Sequence, residues 1–528
     1  MCEATRRPAP VRLAWLRSLM TGLMMLALLC GAAGCHPAAT LPPGYLQVDI
    51  ETSPLSLDPR FGTDAMSSRI DELLFDSLVR LDPHQRLVGD LAASIERPTP
   101  TELVFHLRPG LRFSDGRRLV ARDVKYSYES LLAPGSLSPR GAMFSELAAI
   151  AAPDDATVVM RTRRPYAPAL EMAMLGIVPD GTPVTVRGTL GAPPGSGPFA
   201  VAAFTRDEQV VLRRNPYRPA AAGSPRGIVF KIVPDPTVRA LELAEGICDL
   251  AENNIEPDLL GYLGRQPGLT IERFPGTAYQ YIAFNFRDPH LRDLRVRRAI
   301  AYALDRRAIV DQMRHRTARL ASGMLSPENP YYTGDVMRYS YDPAKADALL
   351  DAAGYPRRAD GWRGLAFVYK TTPEGARLAE VFQAMLRRVG IRLTVRVNEF
   401  GTFYGDIQRS DFDLMSLQWV GITDPHQYQM VFDSKMTPPH GLNRGDYSNP
   451  AMDRLVEAGD TTLDPAARRA IYRKVQQLAA DDLPYLSLWW QDNVVVMQRG
   501  LEGFQPYPNG SLRSLADLRR GPRPLAER

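Results

Sequence analysis

Disulfide chemistry is the first thing this sequence excludes. Its 528 residues hold four cysteines, and Cys2, Cys30 and Cys35 all fall at the front, leaving only Cys248 in the body. No internal disulfide can form there, so stability has to come from buried apolar area, which a chain of this length can supply. Histidine is sparse as well. His36, His84, His106, His290, His315, His426 and His440 are scattered, with no His-Glu-x-x-His pair, so the metalloprotease pattern is missing. There is no Gly-x-Ser-x-Gly elbow, no glycine-rich phosphate loop opening a helix and no repeat of solenoid period. Beyond the first 30 residues no stretch approaches the roughly 18 apolar residues of a membrane span. Of the formal net charge of +5, residues 1–34 carry +3 (four Arg, one Glu), which leaves +2 for the remainder. That is no basic field for nucleic acid. No cofactor is expected, and no catalytic constellation is legible.

What is present begins with a leader. Arg6, Arg7, Arg12 and Arg17 precede an apolar run from Leu19 to Leu29 and the small residues Gly31 to Gly34. This is the order of a secretory signal. The small residues end at Cys35, and the arrangement resembles a bacterial lipobox, although Ala32 stands where leucine is usual. The resemblance implies acyl chains such as palmitate on Cys35. Each buried methylene of such a chain contributes about 0.8 kcal/mol of membrane attachment.

The rest has ordinary globular composition, 45% hydrophobic and 23% charged, and is long enough for two or three packed units. Leu46, Val48 and Ile50 alternate with polar residues, as do Leu103, Phe105 and Leu107, and Ile391, Leu393, Val395 and Val397. These spacings predict strands. Gly227 to Val233 reads as a more buried strand, and Phe412 to Leu417 as another. Val124, Tyr128, Leu131 and Leu132 share one face of a helix over Val120 to Leu132; Val296, Ala299, Ile300, Ala303 and Leu304 do so over Leu294 to Val310. Asp342-Pro343 and Asp464-Pro465 each pair a helix cap with a residue preset for the first turn. Strands interleaved with helices indicate α/β layers.

Several segments then occur in a telling order. Leu57-Asp-Pro59 is followed by Phe105-His-Leu-Arg-Pro-Gly-Leu-Arg-Phe-Ser-Asp-Gly116 and Ala121-Arg-Asp-Val-Lys-Tyr-Ser-Tyr128. Gly195-Ser-Gly-Pro-Phe199, Arg214-Asn-Pro-Tyr217 and Gly246-Ile-Cys-Asp249 come next. Asp293 to Arg306 and Tyr341 to Tyr355 complete the set. Together they resemble extracellular solute-binding protein family 5, the dipeptide-, oligopeptide- and nickel-binding lipoproteins of ABC importers. The resemblance implies an α/β, two-lobed periplasmic-binding-protein fold of type II, with a hinge between lobes and an extra α/β subdomain in the first.

On that resemblance, residues 1–34 are a signal peptide and 35–44 a lipidated linker. Lobe I spans 45–275, with an insert at about 79–190. Lobe II spans 276–487, and 488–528 return to lobe I. The strand Tyr281 to Phe286 would be one crossing, and Ser487 to Val496 the other. The expected role is binding, not catalysis. A monomer anchored through its lipid in the periplasm would hand a peptide or peptide-like solute to permease and ATPase subunits. A sugar, an opine-like compound or a nickel complex stays open as the solute, as does an envelope sensor or chaperone. Read as individual residues, the glycines at 195 and 197 are turn chemistry, and Cys248 is a small packed residue.

For the site, peptide-binding relatives follow a tryptophan with an aspartate that pairs with the peptide ammonium. Here Trp419 is followed at the third position by Ile422. Asp424 is the substitute acid, or else shapes the turn before Pro425. Trp419 is a pocket wall or a core residue. Arg444 is a candidate clamp for a carboxylate, because guanidinium binds one bidentately. Phe403 and Tyr404, ahead of a helix, are further candidates. His426 and His440 are the thin case for a metal.

Overall fold

Period-2 alternation puts Leu46, Val48 and Ile50 on one face, and in the computed structural model Tyr45–Ile50 is a strand. The structure describes residues 41–133, 136, 138, 140–183 and 192–521. The leader and the Cys35 lipid site lie outside them. Helix punctuation follows the chemistry of the caps: Asp342 accepts from the Lys345 amide and Asp464 from the Ala467 amide, each followed by proline. One expected helix is two. Leu294–Ala303 ends at an extended Leu304, and Arg306–Gln312 restarts because the Asp305 side chain caps it, accepting from Ala308 N–H. Apolar periodicity runs through both pieces and hides this break.

The main sheet has eleven strands. From one edge its order runs Arg392–Val397, Ala366–Thr371, Leu414–Trp419, Leu269–Phe284, Tyr485–Gln498, Leu250–Glu252, Tyr45–Ile50, Gly227–Ile232, Gln209–Arg214 and Phe199–Thr205; Ala318–Leu320 pairs with Tyr485–Gln498 off this path. Two members are unusually long, 16 residues for Leu269–Phe284 and 14 for Tyr485–Gln498. They pair with each other antiparallel along their length, with irregularities between Phe274 and Ala278 and between Gln280 and Tyr281. At one end Val495, Val496 and Met497 pair with Leu250–Glu252. At the other, Tyr279 to Phe284 pair with Leu414–Trp419. These two ribbons therefore carry the chain between two groups of strands.

The apolar cores respect that division. One cluster gathers Val48, Leu73, Phe199, Phe230, Leu250 and Val495. The second half holds two, around Ile300, Phe367 and Leu488 and around Tyr281, Phe403, Met415 and Tyr472. An inserted unit has its own four-stranded sheet, Ala92–Thr99, Glu102–Leu107, Thr157–Thr162 and Leu147–Ala151, with Phe105, Val124 and Tyr128 in its core. Buried Cys248 is a free thiol packed against the Leu250 carbonyl. Among the described residues no helix is long and apolar enough to cross a membrane.

The sequence motifs converge on one knot. Ser114 N–H donates to Gly195 O, Gly197 N–H to Leu74 O, and the Asn215 side-chain amide to Gly197 O. The glycines at 195 and 197 are absent from the positive-φ residues. They are required by close approach instead, since a Cβ on either would collide with the Leu73–Leu74 backbone. The chain bends at residues 196–198, as the turn reading expects, and close approach supplies the reason for glycine there.

Glu252 makes stability depend on pH. Both its carboxylate oxygens are buried without a hydrogen-bond partner. Burial raises its pKa to about 7, against the pull of Arg69. A carboxyl raised in the folded state contributes stability fully present below its unfolded pKa and lost as pH rises through the folded one. For Glu252 that window runs from 4.5 to about 7. Glu252→Gln should therefore match wild type near pH 4.5 and exceed it at pH 8, by on the order of 3 kcal/mol. Denaturant melts at the two pH values check this; a variant less stable than wild type at pH 8 refutes it.

Candidate functional site

The loop holding Arg444 is fixed from both sides. Asn443 donates its side-chain amide to the Asp433 and Tyr447 carbonyls and accepts from Tyr447 N–H. Gly445 O accepts from Phe286 N–H at 2.7 Å, just past the end of the long Leu269–Phe284 strand. Arg444 is thus held inward, 3% exposed. Its guanidinium carbon lies 5.3 Å from the Tyr404 ring centre and 5.4 Å from that of Trp419. Among the described residues its one side-chain hydrogen bond goes to Tyr404 Oη at 3.2 Å.

Aromatic rings complete the box. Trp419 ends its strand opposite Tyr279 and stacks on Tyr281 at 6.0 Å, which in turn stacks on Tyr485 at 4.0 Å. The Tyr281 and Tyr485 hydroxyls, Trp419 Nε1 and Arg444 Nε are all buried without a well-formed hydrogen bond. Burial pushes both phenols above their ordinary range while the Arg444 charge opposes the shift, so that charge is felt inside the box.

A second polar cluster joins the insert to the second half of the chain. Ala167 N–H donates to Asp460 O at 2.7 Å, and Tyr166 Oη meets His426 Nε2 at 3.4 Å. Glu171 on the short helix Ala169–Met172 contacts the Thr423 hydroxyl. Behind them His426 Nδ1 bonds Asp460 at 2.7 Å. Arg468 holds both Asp424 oxygens, at 2.5 and 2.6 Å, between the rings of Tyr331 and Tyr472. Burial, then the charge of Asp424, pushes the Glu171 carboxyl well above the usual carboxylate range.

The expected site residues therefore divide. Trp419, Arg444 and Tyr404 are brought together. Phe403 is corrected to a core position: it lies inside the helix Phe400–Gln408, not ahead of it, and is 1% exposed. Tyr404, about 100° further round that helix, faces outward. The Asp424 carboxylate is held by Arg468 and accepts from His426 N–H at 2.8 Å across Pro425, the turn-shaping alternative of the two. Ile422 is buried with the apolar core. His426 is engaged by Asp460 and Tyr166 while His440 is exposed, and the described residues contain no group of three or more His, Cys, Asp or Glu able to hold a metal.

Sequence reading missed Tyr485, Glu171 and Arg468, since each acts through partners far away along the chain. Tyr281 was visible only as a strand residue. A cavity of about 340 Å³ bounded by Tyr279, Arg306, Tyr428 and Tyr485 is formed wholly by residues 279–487. Arg306 there is already satisfied by the Tyr339 and Ser487 carbonyls.

Comparison with known proteins agrees with this architecture. The oligopeptide-binding protein AppA of Bacillus subtilis (strain 168) is 26% identical over 494 residues, 89% of this chain and 90% of its own. NikZ of Campylobacter jejuni, solved in complex with Ni(L-His), matches with a TM-score of 0.80 at 23% identity, over 90% of this chain and 100% of that one. The ABC transporter substrate-binding protein CtaP of Listeria monocytogenes matches with a TM-score of 0.80 at 24% identity, over 90% and 99%. The fold is the two-lobed one of periplasmic binding proteins. Residues 86–437, more than half of the chain, match the profile of bacterial extracellular solute-binding proteins, family 5 Middle; the chain belongs to that family.

Proposed function

We propose that this protein is the solute-binding component of an ABC importer. It captures a peptide or peptide-like solute between two lobes, breaks no bond in it, and delivers it to a membrane permease. Lobe I comprises 45–275 with its insert, lobe II 276–487, and 488–528 return to lobe I. The carrying observation is the pair of long strands linking the two groups of strands. Such ribbons can flex as a hinge while each core stays packed. The contacts of Tyr166 and Ala167 with His426 and Asp460 are those a closed state would make. Membership of the family and the likeness to an oligopeptide-binding protein and to an ABC transporter substrate-binding protein support the reading. Trp419 and Tyr404 supply broad contact area at low entropic cost.

In this reading the protein acts as a monomer outside the cytoplasm, tethered by lipid on Cys35. One experiment tests both parts. Cys35→Ser should move the protein from the membrane to the soluble fraction, and small-angle scattering of that soluble form should show a smaller radius when a peptide digest is added. Retention on membranes after carbonate washing rejects the anchor. Turnover of the peptides rejects a pure binding role.

A further inference from the structure

We propose that Arg444 is a carboxylate-reading subsite, and that the solute is recognised by a free carboxylate while its amino end goes unread. This rests on the solute-capture reading above and names the chemistry of what is captured.

The buried arginines of the protein provide the internal comparison. Arg60 is bonded to Asp58 and to the Thr182 and Pro183 carbonyls. Arg239 donates to Val233, Pro234 and Asn254 carbonyls. Arg297 donates to Leu291, Arg292 and Asp482 carbonyls. Arg306 uses carbonyls as well, Arg363 has Asp347 and Asp351, and Arg468 has Asp424. Arg444, equally buried, has a single phenol. Among the described residues no carboxylate lies within ion-pair distance of it, and its Nε has no acceptor.

A guanidinium offers five N–H donors in a planar fork. Leaving one buried and unpaired is costly, so a residue kept in that condition is matched to an acceptor that arrives with the solute. The fork fits a carboxylate bidentately. Trp419 Nε1 and the Tyr281 and Tyr485 hydroxyls, also without well-formed hydrogen bonds, supply further donors around it. Phe400, Tyr404 and Val420 are exposed at 57%, 38% and 47%, which gives the solute's apolar portion a surface to lie on.

The opposite end of a peptide finds no counterpart. Ile422 is apolar and buried, and both Asp424 oxygens are occupied by Arg468. An ammonium entering here would have to compete with a bidentate ion pair.

The test uses the Cys35→Ser full chain as reference and Arg444→Gln in the same background. One tetrapeptide is offered in four forms: free, N-acetylated, C-amidated, and both. By calorimetry the reference should lose at least about tenfold in affinity on amidation and less than about threefold on acetylation. Arg444→Gln should bind acid and amide alike. An amide bound as tightly as the acid by the reference overturns the inference, as does loss of binding on acetylation. If no form binds, peptide capture fails on its own, and a second arm still judges Arg444. Phenylacetate should raise the melting temperature of the reference but not of Arg444→Gln, and phenylacetamide should raise neither. Equal shifts with acid and amide, or an undiminished phenylacetate shift in Arg444→Gln, reject the subsite. Arg444→Gln removes a buried charge and should melt no lower than the reference; a large drop marks Arg444 as structural and overturns the proposal.

Discussion

Replacing Arg468 with methionine should lower folding stability by about 3–5 kcal/mol, the usual consequence of stripping one partner from a buried ion pair. The guanidinium holds both Asp424 oxygens, donates to Gly459 O at 2.8 Å and to Tyr331 Oη at 3.2 Å, and sits between two tyrosine rings. Its side chain is 4% exposed and that of Asp424 12%, so water cannot take over its role. Asp460 is fully buried beside the pair, and Glu171 is pressed against it from the insert. Without Arg468 the cluster keeps three carboxyls against one histidine. The loss should deepen as pH rises and Glu171, whose carboxyl burial holds well above the usual carboxylate range, ionises. Arg468→Met combined with Asp424→Leu should recover most of it, since replacing a whole buried pair by apolar groups is often neutral. Urea unfolding of the two single variants and the double variant, at pH 5 and pH 8, gives the coupling directly. Asp424→Asn alone should likewise reduce stability while leaving peptide affinity nearly unchanged. If it instead weakens free-amine peptides by more than about tenfold at unchanged stability, Asp424 reads the solute and its assignment to Arg468 is not its main role.

Gly195→Ala should cost about 3–5 kcal/mol. The Cβ it adds would overlap the Leu74 carbonyl, and the obstructing atoms are backbone, so no side-chain rotation relieves the clash. Overpacking of this kind costs about 1–3 kcal/mol. Here the segment leading into the strand Phe199–Thr205 must also shift away from its partners. The Ser114 N–H to Gly195 O bond at 2.8 Å and the Gly197 N–H to Leu74 O bond at 2.9 Å are both exposed to loss, at about 1 kcal/mol each. Gly261→Ala is the control, since its nearest neighbour would be the flexible end of Arg265 at 3.9 Å. It should be within about 0.5 kcal/mol of wild type. Equal denaturation midpoints for the two variants would reject the close-approach account.

Much of the fold was legible because its signals are local. Alternation at Leu46, Val48 and Ile50, and at Leu103, Phe105 and Leu107, is a property of a few neighbouring residues and reappears as strands with those faces buried. The Asp-Pro caps at 342 and 464 work within one helical turn. Where local signals conflict, reading by periodicity fails: the apolar stripe of Leu294 to Val310 continues across Leu304, yet the Asp305 cap wins and breaks the helix. The strand read as Phe412 to Leu417 is Leu414–Trp419, because its register is set by pairing with Tyr279 to Phe284. Nothing within the segment itself encodes that.

By itself the sequence determined the class of the molecule: an α/β chain with a single cysteine in its body, carrying the ordered motifs of its family and a tryptophan with no aspartate three positions on. The tertiary structure decided which charges are spent and which are free. Asp424 and Arg444 look alike in sequence, each a charged loop residue following Trp419. Asp424 meets Arg468, 44 positions further along, and is neutralised. Arg444 meets Tyr404 and Trp419, and among the described residues no carboxylate compensates its charge. The cost or benefit of a charge depends on burial and on partners a few ångströms away. Distances between residues far apart in the chain exist only once the long strands have brought them to one place.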